Sequence, residues 1–395
     1  MSSPALQLDA VVEILRKAGL VTEVHGTGDV SLLGASQDSR TVRAGDLFLA
    51  WRGVDADAHD FVAAAAEAGA VAAVVERFVP EAAVPQVRVT DGRLAAALAA
   101  DALHGSPWRQ LFTCGITGTN GKTTTALLTR HLLGMRGSAA AIGTLGVVGA
   151  DGQVLPETEG LTTPGPVALS GWLRKLVDDD FRSVTLEASS HALDQRRLDG
   201  MRFDVAVFTN FGGDHLDYHG DADAYLTSKA RLVELLAPSG AAVVNADDAA
   251  WAALADAARG GVGPGRRRFV TFAIDVAADV RASGVVLLPS GARFTLHHEG
   301  GSVDVLLPLP GRFNVENALA AAAVGLVSGL SLQEVAAGLE RAPQVPGRLE
   351  VLCREPFTVA VDFAHTADAL ARVLTAVRPL VRGRLIVLFG AGGDR

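Results

Sequence analysis

Leu111-Phe112-Thr113-Cys114-Gly115-Ile116-Thr117-Gly118-Thr119-Asn120-Gly121-Lys122-Thr123-Thr124 decides the reading of this chain. Leu111–Ile116 is an apolar, strand-like run. It enters a glycine-bearing turn, and the spacing that follows predicts a helix over Lys122–Leu133. A strand, a glycine-rich turn and a helix N-terminus form the setting of a phosphate-binding loop. Glycines let the backbone fold tightly enough for its N–H groups to face phosphate oxygens, and the helix dipole favours the same anion. Gly118, Thr119, Asn120, Gly121, Lys122, Thr123 and Thr124 are therefore the candidate ATP-binding residues. Lys122 is placed to reach the outer phosphates, and the Thr123 hydroxyl to ligate Mg²⁺. The loop departs from the general G-x-x-x-x-G-K-[ST] form, since Ile116 stands where the first glycine belongs and the glycine falls at Gly118.

Outward from this loop, Ser183–Glu187, Val205–Thr209 and Ala241–Asn245 read as further apolar strands, each followed by a turn and a helical stretch. That alternation predicts an α/β fold with a parallel sheet covered on both faces. Residues 283–307 read as short antiparallel strands, and Val315–Val327 and Ser331–Glu340 as helices. Upstream, residues 1–105 form a smaller α/β pattern that ends near Gly105-Ser106-Pro107. Downstream, Pro343, Pro346 and Gly347 mark a second boundary. Beyond it a strand (Phe357–Val361), a helix (Ala367–Val377) and another strand (Leu385–Phe389) are expected. The domains are thus 1–105, 106–343 and 344–395, the last read as the beginning of a third domain.

At 395 residues, two or three domains are expected, and 49% hydrophobic residues supply material for their cores. A net charge of −9 argues against a nucleic-acid partner. No apolar run approaches the ~18 residues of a membrane helix, so a cytoplasmic protein with no membrane insertion is expected. Cys114 and Cys353, in strand-like runs without metal-ligand spacing, read as reduced core thiols. Of 35 basic residues only Lys17, Lys122, Lys175 and Lys229 are lysines. A lysine kept against that bias suits work that needs a compact, titratable amine.

Glu187 closes a predicted strand, where a carboxylate points into the ligand crevice of a parallel sheet and can hold Mg²⁺. Asp214, His215, Asp217 and His219 crowd the turn after the next strand, with His215 the expected metal ligand. Lys229 follows in a helical stretch.

The loop Thr117–Thr124 resembles that of the Mur ligases and of the related folylpolyglutamate synthetases, which use ATP to form an acyl phosphate that an amine attacks. The resemblance runs along the whole chain. It is strongest to the UDP-N-acetylmuramoyl-tripeptide synthetases, which add the third residue of the peptidoglycan stem peptide. Asp38-Ser39-Arg40, Gly45-Asp46-Leu47-Phe48, Thr162-Thr163-Pro164, Glu187–Arg197, Asp214–Gly220, Gly311-Arg312-Phe313-Asn314, Pro346–Glu350, Val361–Thr366 and Gly390–Arg395 carry it. It implies a three-domain architecture with a central P-loop ATPase domain, an N-terminal uridine-nucleotide domain and a truncated amino-acid-binding domain. It also implies UDP-MurNAc-dipeptide contacts from Gln37, Ser39, Val54, Asp55, Ala56, Thr162, Thr163, Ser189, Gln195 and Arg197, and an amino-acid contact from Arg395. Lys229 would be carbamylated and would bind a second Mg²⁺; Lys122, His215 and Lys229 are the implied catalytic set. The implied substrates are ATP, UDP-MurNAc-L-Ala-D-Glu and a diamino acid, meso-diaminopimelate in preference to L-lysine, handled by a monomer. The motif that selects the amino acid is expected beyond Arg395, so the 395-residue chain is expected to bind the UDP-substrate and ligate poorly. Two other readings differ in features. A nucleotide switch protein needs an [NT]-K-x-D element, which this chain lacks, and a folylpolyglutamate synthetase needs no nucleotide-sugar domain over 1–105.

Overall fold

The computed structural model describes residues 6–26, 29–53, 56–213, 216–254 and 267–390. In the N-terminal region, β1 (Val21–His25), β2 (Gly34–Ser36), β3 (Asp46–Leu49), β4 (Ala72–Val75) and β5 (Gln86–Val89) form one sheet in the order β1-β5-β4-β3-β2. β3 and β4 are buried at every position, as a strand covered on both faces must be. Helices α1 (Leu8–Lys17) and α3 (Gly92–Leu103) cover one face through Val11, Leu15, Ala95 and Ala99, while α2 (Val62–Glu67) packs on the other.

The central sheet contains β6 (Phe112–Thr117), β7 (Ala139–Gly143), β8 (Gly146–Val148), β9 (Ser183–Glu187), β10 (Phe203–Phe208), β11 (Leu236–Asn245), β12 (Arg268–Ala273), β13 (Val280–Leu288), β14 (Gly291–His298) and β15 (Gly301–Leu307). Their order is β8-β7-β9-β6-β10-β11-β12-β13-β14-β15. The strands from β7 to β13 run parallel; β8 at one edge and β14 and β15 at the other are antiparallel. Period-two alternation decides what each face meets. Val205 and Val207 join Cys114 and Ile116 in a core shared with α4 (Lys122–Leu133) and the alanine-rich α9 (Arg312–Val327), against which α10 (Leu332–Glu340) also packs. Ala206 and Phe208 face the opposite core with Leu186 and with Leu169, Leu173 and Leu176 of α5 (Pro166–Asp178).

Register places the site. Glu187 pairs with Ile116 and Phe208 with Thr117, while Leu186 pairs with Ile142 next to Gly143. The ends of β7, β9, β6 and β10 therefore lie level along one edge, where helix N-termini and loops converge.

The C-terminal region differs from expectation in two places. β16 (Glu350–Cys353) pairs antiparallel with β17 (Val359–Val361), followed by α11 (Ala367–Val377). Leu385–Phe389, expected as a strand, joins no sheet among the described residues, and Leu388 is 98% exposed. Apolar residues make a strand only where a neighbouring ladder accepts their backbone groups, and β16–β17 does not extend to this segment. Cys353 is exposed rather than in a core, because its two-stranded sheet is uncovered there; Cys114 is buried as expected. No helix among the described residues is long and apolar enough to cross a membrane.

Candidate active site

The turn between β6 and α4 is held from outside as well as by its glycines. Gly118 lies at φ +147° and Gly121 at φ +85°. A Cβ on Gly118 would meet Thr209 Oγ1 at 1.9 Å, and one on Gly121 would meet Asn317 Oδ1 at 2.3 Å. The segment after β10 clamps the loop. Asn120 N donates to Asn210 Oδ1 (2.9 Å), Asn210 Nδ2 and Thr209 Oγ1 donate to Asn120 O (3.1 and 2.7 Å), and Thr119 N donates to Asn210 O (2.8 Å). Lys122 Nζ bends back over the loop and donates to Gly118 O (2.9 Å) and Thr119 O (3.0 Å). These bonds fix the loop as a preformed cradle with the cation at its mouth.

Glu187, 2% exposed, lies beside the first turn of α4. Its Oε2 accepts from Thr123 Oγ1 (3.0 Å) and Thr144 Oγ1 (3.3 Å), and its Oε1 from Thr144 N (2.9 Å). Burial pushes its pKa up from the usual carboxylate range, against downward pulls from Lys122, the Thr144 and Thr123 donors and Arg348. Arg348 donates from Nη2 to Thr123 Oγ1 (3.1 Å) and stacks over the Phe363 ring (4.6 Å). A desolvated carboxylate with a threonine hydroxyl 3.0 Å away is a pair of hard oxygen donors of the kind Mg²⁺ takes. Among the described residues no group of three or more His, Cys, Asp or Glu side chains is placed to hold a metal ion. His215 lies outside the described residues, as do Val54, Asp55 and Arg395.

Lys229, on α8 (Ala222–Ala230), is 1% exposed. Its Nζ donates to Gly118 O (2.9 Å) and lies 4.3 Å from the Tyr225 ring centroid. Burying an ammonium costs several kcal/mol, and these contacts offset part of that. Lys122 and Lys229 thus share one carbonyl of the phosphate loop, although 107 positions separate them in sequence (229 − 122).

Five of the expected substrate residues, Thr162, Thr163, Ser189, Gln195 and Arg197, lie together beside Glu187. Thr163 Oγ1 donates to Glu187 O (2.6 Å) and accepts from Ser189 N (3.0 Å), and Thr162 Oγ1 lies 3.2 Å from Thr144 Oγ1. Ser189 caps the short helix α6 (Ser190–Asp194), accepting from Ala192 N. Arg196 takes a left-handed φ of +58° beyond that helix, turning the chain so that Arg197 Nη1 donates to Thr163 O (2.8 Å). Arg197 Nε and Nη2 both donate to Gln195 Oε1 (3.1 and 2.7 Å). Gln37 of the N-terminal region reaches this strip, since a Cβ on Gly165 would lie 2.7 Å from Gln37 Nε2. Ser39 opens the adjacent 3-10 turn Ser39–Thr41, which Asp38 caps through Arg40 N (3.0 Å). Ala56 O accepts from Gly53 N (2.8 Å).

Sequence reasoning gave no role to Thr144, Asn210, Arg348, Tyr218 or Asn317. Arg348 and Tyr218 lie in motifs quoted above, and a polar residue inside an alanine-rich apolar helix was a signal for Asn317.

A strand–loop–helix phosphate cradle with a buried carboxylate and lysine at the C-terminal edge of a parallel sheet defines a P-loop nucleotide-using protein. Profiles described as Mur ligase family catalytic domain, Mur ligase middle domain, and Mur ligase glutamate ligase domain match residues 34–104, 116–325 and 347–395. The chain belongs to the Mur ligase family and is an ATP-dependent amide ligase. It is 44% identical over 393 residues to the UDP-N-acetylmuramoyl-L-alanyl-D-glutamate–2,6-diaminopimelate ligase of Geobacter sulfurreducens, covering 96% of this chain and 74% of that protein. A solved structure of a UDP-N-acetylmuramoyl-L-alanyl-D-glutamate–2,6-diaminopimelate ligase superposes with TM-score 0.81 at 30% identity, covering 99% of this chain and 78% of that one. MurF of Acinetobacter baumannii gives TM-score 0.70 at 26% identity, over 95% and 77%.

Proposed function

We propose that this chain uses ATP to join a diamino acid, meso-diaminopimelate in preference to L-lysine, to the D-glutamyl carboxylate of UDP-MurNAc-L-Ala-D-Glu. The carboxylate takes the γ-phosphoryl group of ATP, the amine attacks the resulting acyl phosphate, and phosphate leaves. The observation that carries this reading is that one residue serves two sides. The Glu187 carboxylate accepts from Thr123 of the phosphate loop, while its main-chain carbonyl accepts from Thr163 of the expected substrate strip. A phosphoryl donor and a carboxylate acceptor bound on either side of Glu187 would be neighbours, and transfer between them is largely a matter of positioning and charge neutralisation.

In this reading Lys122 and the loop residues Gly118, Thr119, Asn120, Gly121, Thr123 and Thr124 bind the triphosphate, with the N–H groups of Thr119 and Asn120 spent on Asn210 to shape the loop. Thr123, Glu187, His215 and carbamylated Lys229 would hold Mg²⁺, which supplies charge neutralisation between the reacting anions. Gln37, Ser39, Val54, Asp55, Ala56, Thr162, Thr163, Ser189, Gln195 and Arg197 hold the UDP-linked dipeptide, and Arg395 meets the amino acid. Regions 1–105, 106–343 and 344–395 bind uridine nucleotide, ATP and amino acid in turn, in a cytoplasmic monomer. The 44% identity to a diaminopimelate ligase supports the choice of amino acid. The test is ADP release measured with each substrate omitted. Release that needs both the UDP-dipeptide and meso-diaminopimelate agrees with the proposal; release unaffected by omitting the dipeptide overturns it.

A further inference from the structure

Tyr218 lies on the short helix α7 (Leu216–His219), and its hydroxyl sits between two groups that leave it one hydrogen-bonding arrangement. The Asp194 carboxylate is an acceptor only, so Tyr218 OH donates to Asp194 Oδ2 (2.8 Å). Its lone pair then accepts from Gln195 Nε2 (3.1 Å). With its NH₂ committed to Tyr218, the Gln195 amide must turn Oε1 the other way, where it accepts from Arg197 Nε and Nη2. Arg197 in turn spends Nη1 on Thr163 O. The chain Asp194–Tyr218–Gln195–Arg197–Thr163 thus has one direction, set at the carboxylate end. The Tyr218 ring packs on His191 (centroids 4.2 Å) and on His219 (4.8 Å), which fixes the phenol from its other side.

We infer that Tyr218 is a positioning residue for the muramoyl-peptide strip, locking the Gln195 amide so that Arg197 presents its remaining N–H donors to an anionic group of the UDP-linked substrate. The inference rests on the proposed role of Gln195 and Arg197 in binding that substrate. Without the hydroxyl, the Gln195 NH₂ loses its acceptor, and the amide and the Arg197 guanidinium bonded to it are anchored from one side only.

Tyr218→Phe removes the hydroxyl and keeps the ring. The loss of one ordered hydrogen bond corresponds to about a 3- to 10-fold change. The expected result is a KM for UDP-MurNAc-L-Ala-D-Glu raised by that factor, with kcat and the KM values for ATP and the diamino acid within about twofold of wild type. Asp194→Asn, which lets the phenol turn, should raise the same KM by less, and Tyr218→Phe combined with Gln195→Ala should cost no more than Gln195→Ala alone. Equal losses for all three substrates, a fall in kcat alone, or additive losses in the double variant overturn the inference. Arg197→Ala separates the two layers. If it abolishes binding of the UDP-dipeptide in calorimetry while Tyr218→Phe changes nothing, the positioning role fails and the substrate strip stands. If it binds normally, both fall.

Discussion

Gly143→Ala tests the seat of Glu187 without altering any polar group. Gly143 ends β7 beside Glu187, and a Cβ there would lie 2.0 Å from Glu187 Oε1, 2.6 Å from Cδ and 2.7 Å from Cγ. Three atoms of one side chain inside contact distance leave no small adjustment, so the carboxylate must swing away. It then gives up the bond from Thr144 N at 2.9 Å and that from Thr123 Oγ1 at 3.0 Å. Hydrogen bonds to a charged group contribute about 1.5–3 kcal/mol each. New contacts in the displaced position recover part of this, and a net destabilisation of about 1–3 kcal/mol follows, the usual cost of overpacking. The functional loss is expected to be larger, because a displaced carboxylate no longer faces the phosphate loop. Removing one preorganised electrostatic partner costs roughly 10²–10³ in turnover. Steady-state ligation and the Mg²⁺ dependence of ADP binding by calorimetry measure it, and urea melts report the folded fraction. Glu187→Gln, which preserves shape, should lose similar turnover with a smaller change in melting. Wild-type turnover and Mg²⁺ dependence in Gly143→Ala would refute the placement of Glu187 as the metal-facing group.

Lys229→Arg keeps the positive charge but cannot be carbamylated, so ligation should fall at least about 10²-fold, as for Lys229→Ala, and wild-type turnover should rise when bicarbonate is restored to CO₂-depleted enzyme; an active Lys229→Arg variant would count against carbamylation. In the N-terminal region, burial raises the Asp57 pKa, but hydrogen bonds from the His59 side chain and backbone and from Arg77 outweigh it and hold the carboxyl down at about 2. A depressed carboxylate stabilises the fold above its ordinary value of about 4 and loses that contribution as pH falls through the folded value. The urea-midpoint advantage of wild type over Asp57→Asn should therefore be full at pH 7 and shrink between about pH 4 and 2; a gap independent of pH would contradict it.

Local pattern made the centre of the molecule legible. Lys122–Leu133 and Ser183–Glu187 have the bounds expected from periodicity, because a glycine turn starts one and a sheet buried on both faces leaves the other a continuous apolar run. The strand expected over Ala241–Asn245 begins earlier, at Leu236, through the exposed Ser239, which carries no apolar signal. Partners distant in sequence were not legible. The Thr123–Arg348 bond spans 225 positions, and no spacing rule links them. Tyr218 stood inside a quoted motif, yet its role depends on Asp194 and Gln195 being folded onto it from the previous strand–turn unit. Leu385–Phe389 has the composition of a strand, and composition alone does not supply the neighbour a strand needs.

Three chain regions meet the site from different sides. Gln37 abuts Gly165 from the N-terminal sheet, Glu187 stands at the centre, and Arg348 reaches Thr123 from the segment leading to β16. The Thr123 hydroxyl gives its proton to Glu187 and takes one from Arg348, so the phosphate loop is already coupled to the region that carries Asp362 and Phe363. Leu349, with a left-handed φ of +47°, directs this crossing, and its N–H is fixed on Asp362 Oδ2 at 2.8 Å. A ligation that must bring a nucleotide, an acid and an amine into one near-attack arrangement gains most from such a design. In the proposed reaction each substrate would be gripped by a different region, with the reacting groups meeting at the one edge where β7, β9, β6 and β10 end level.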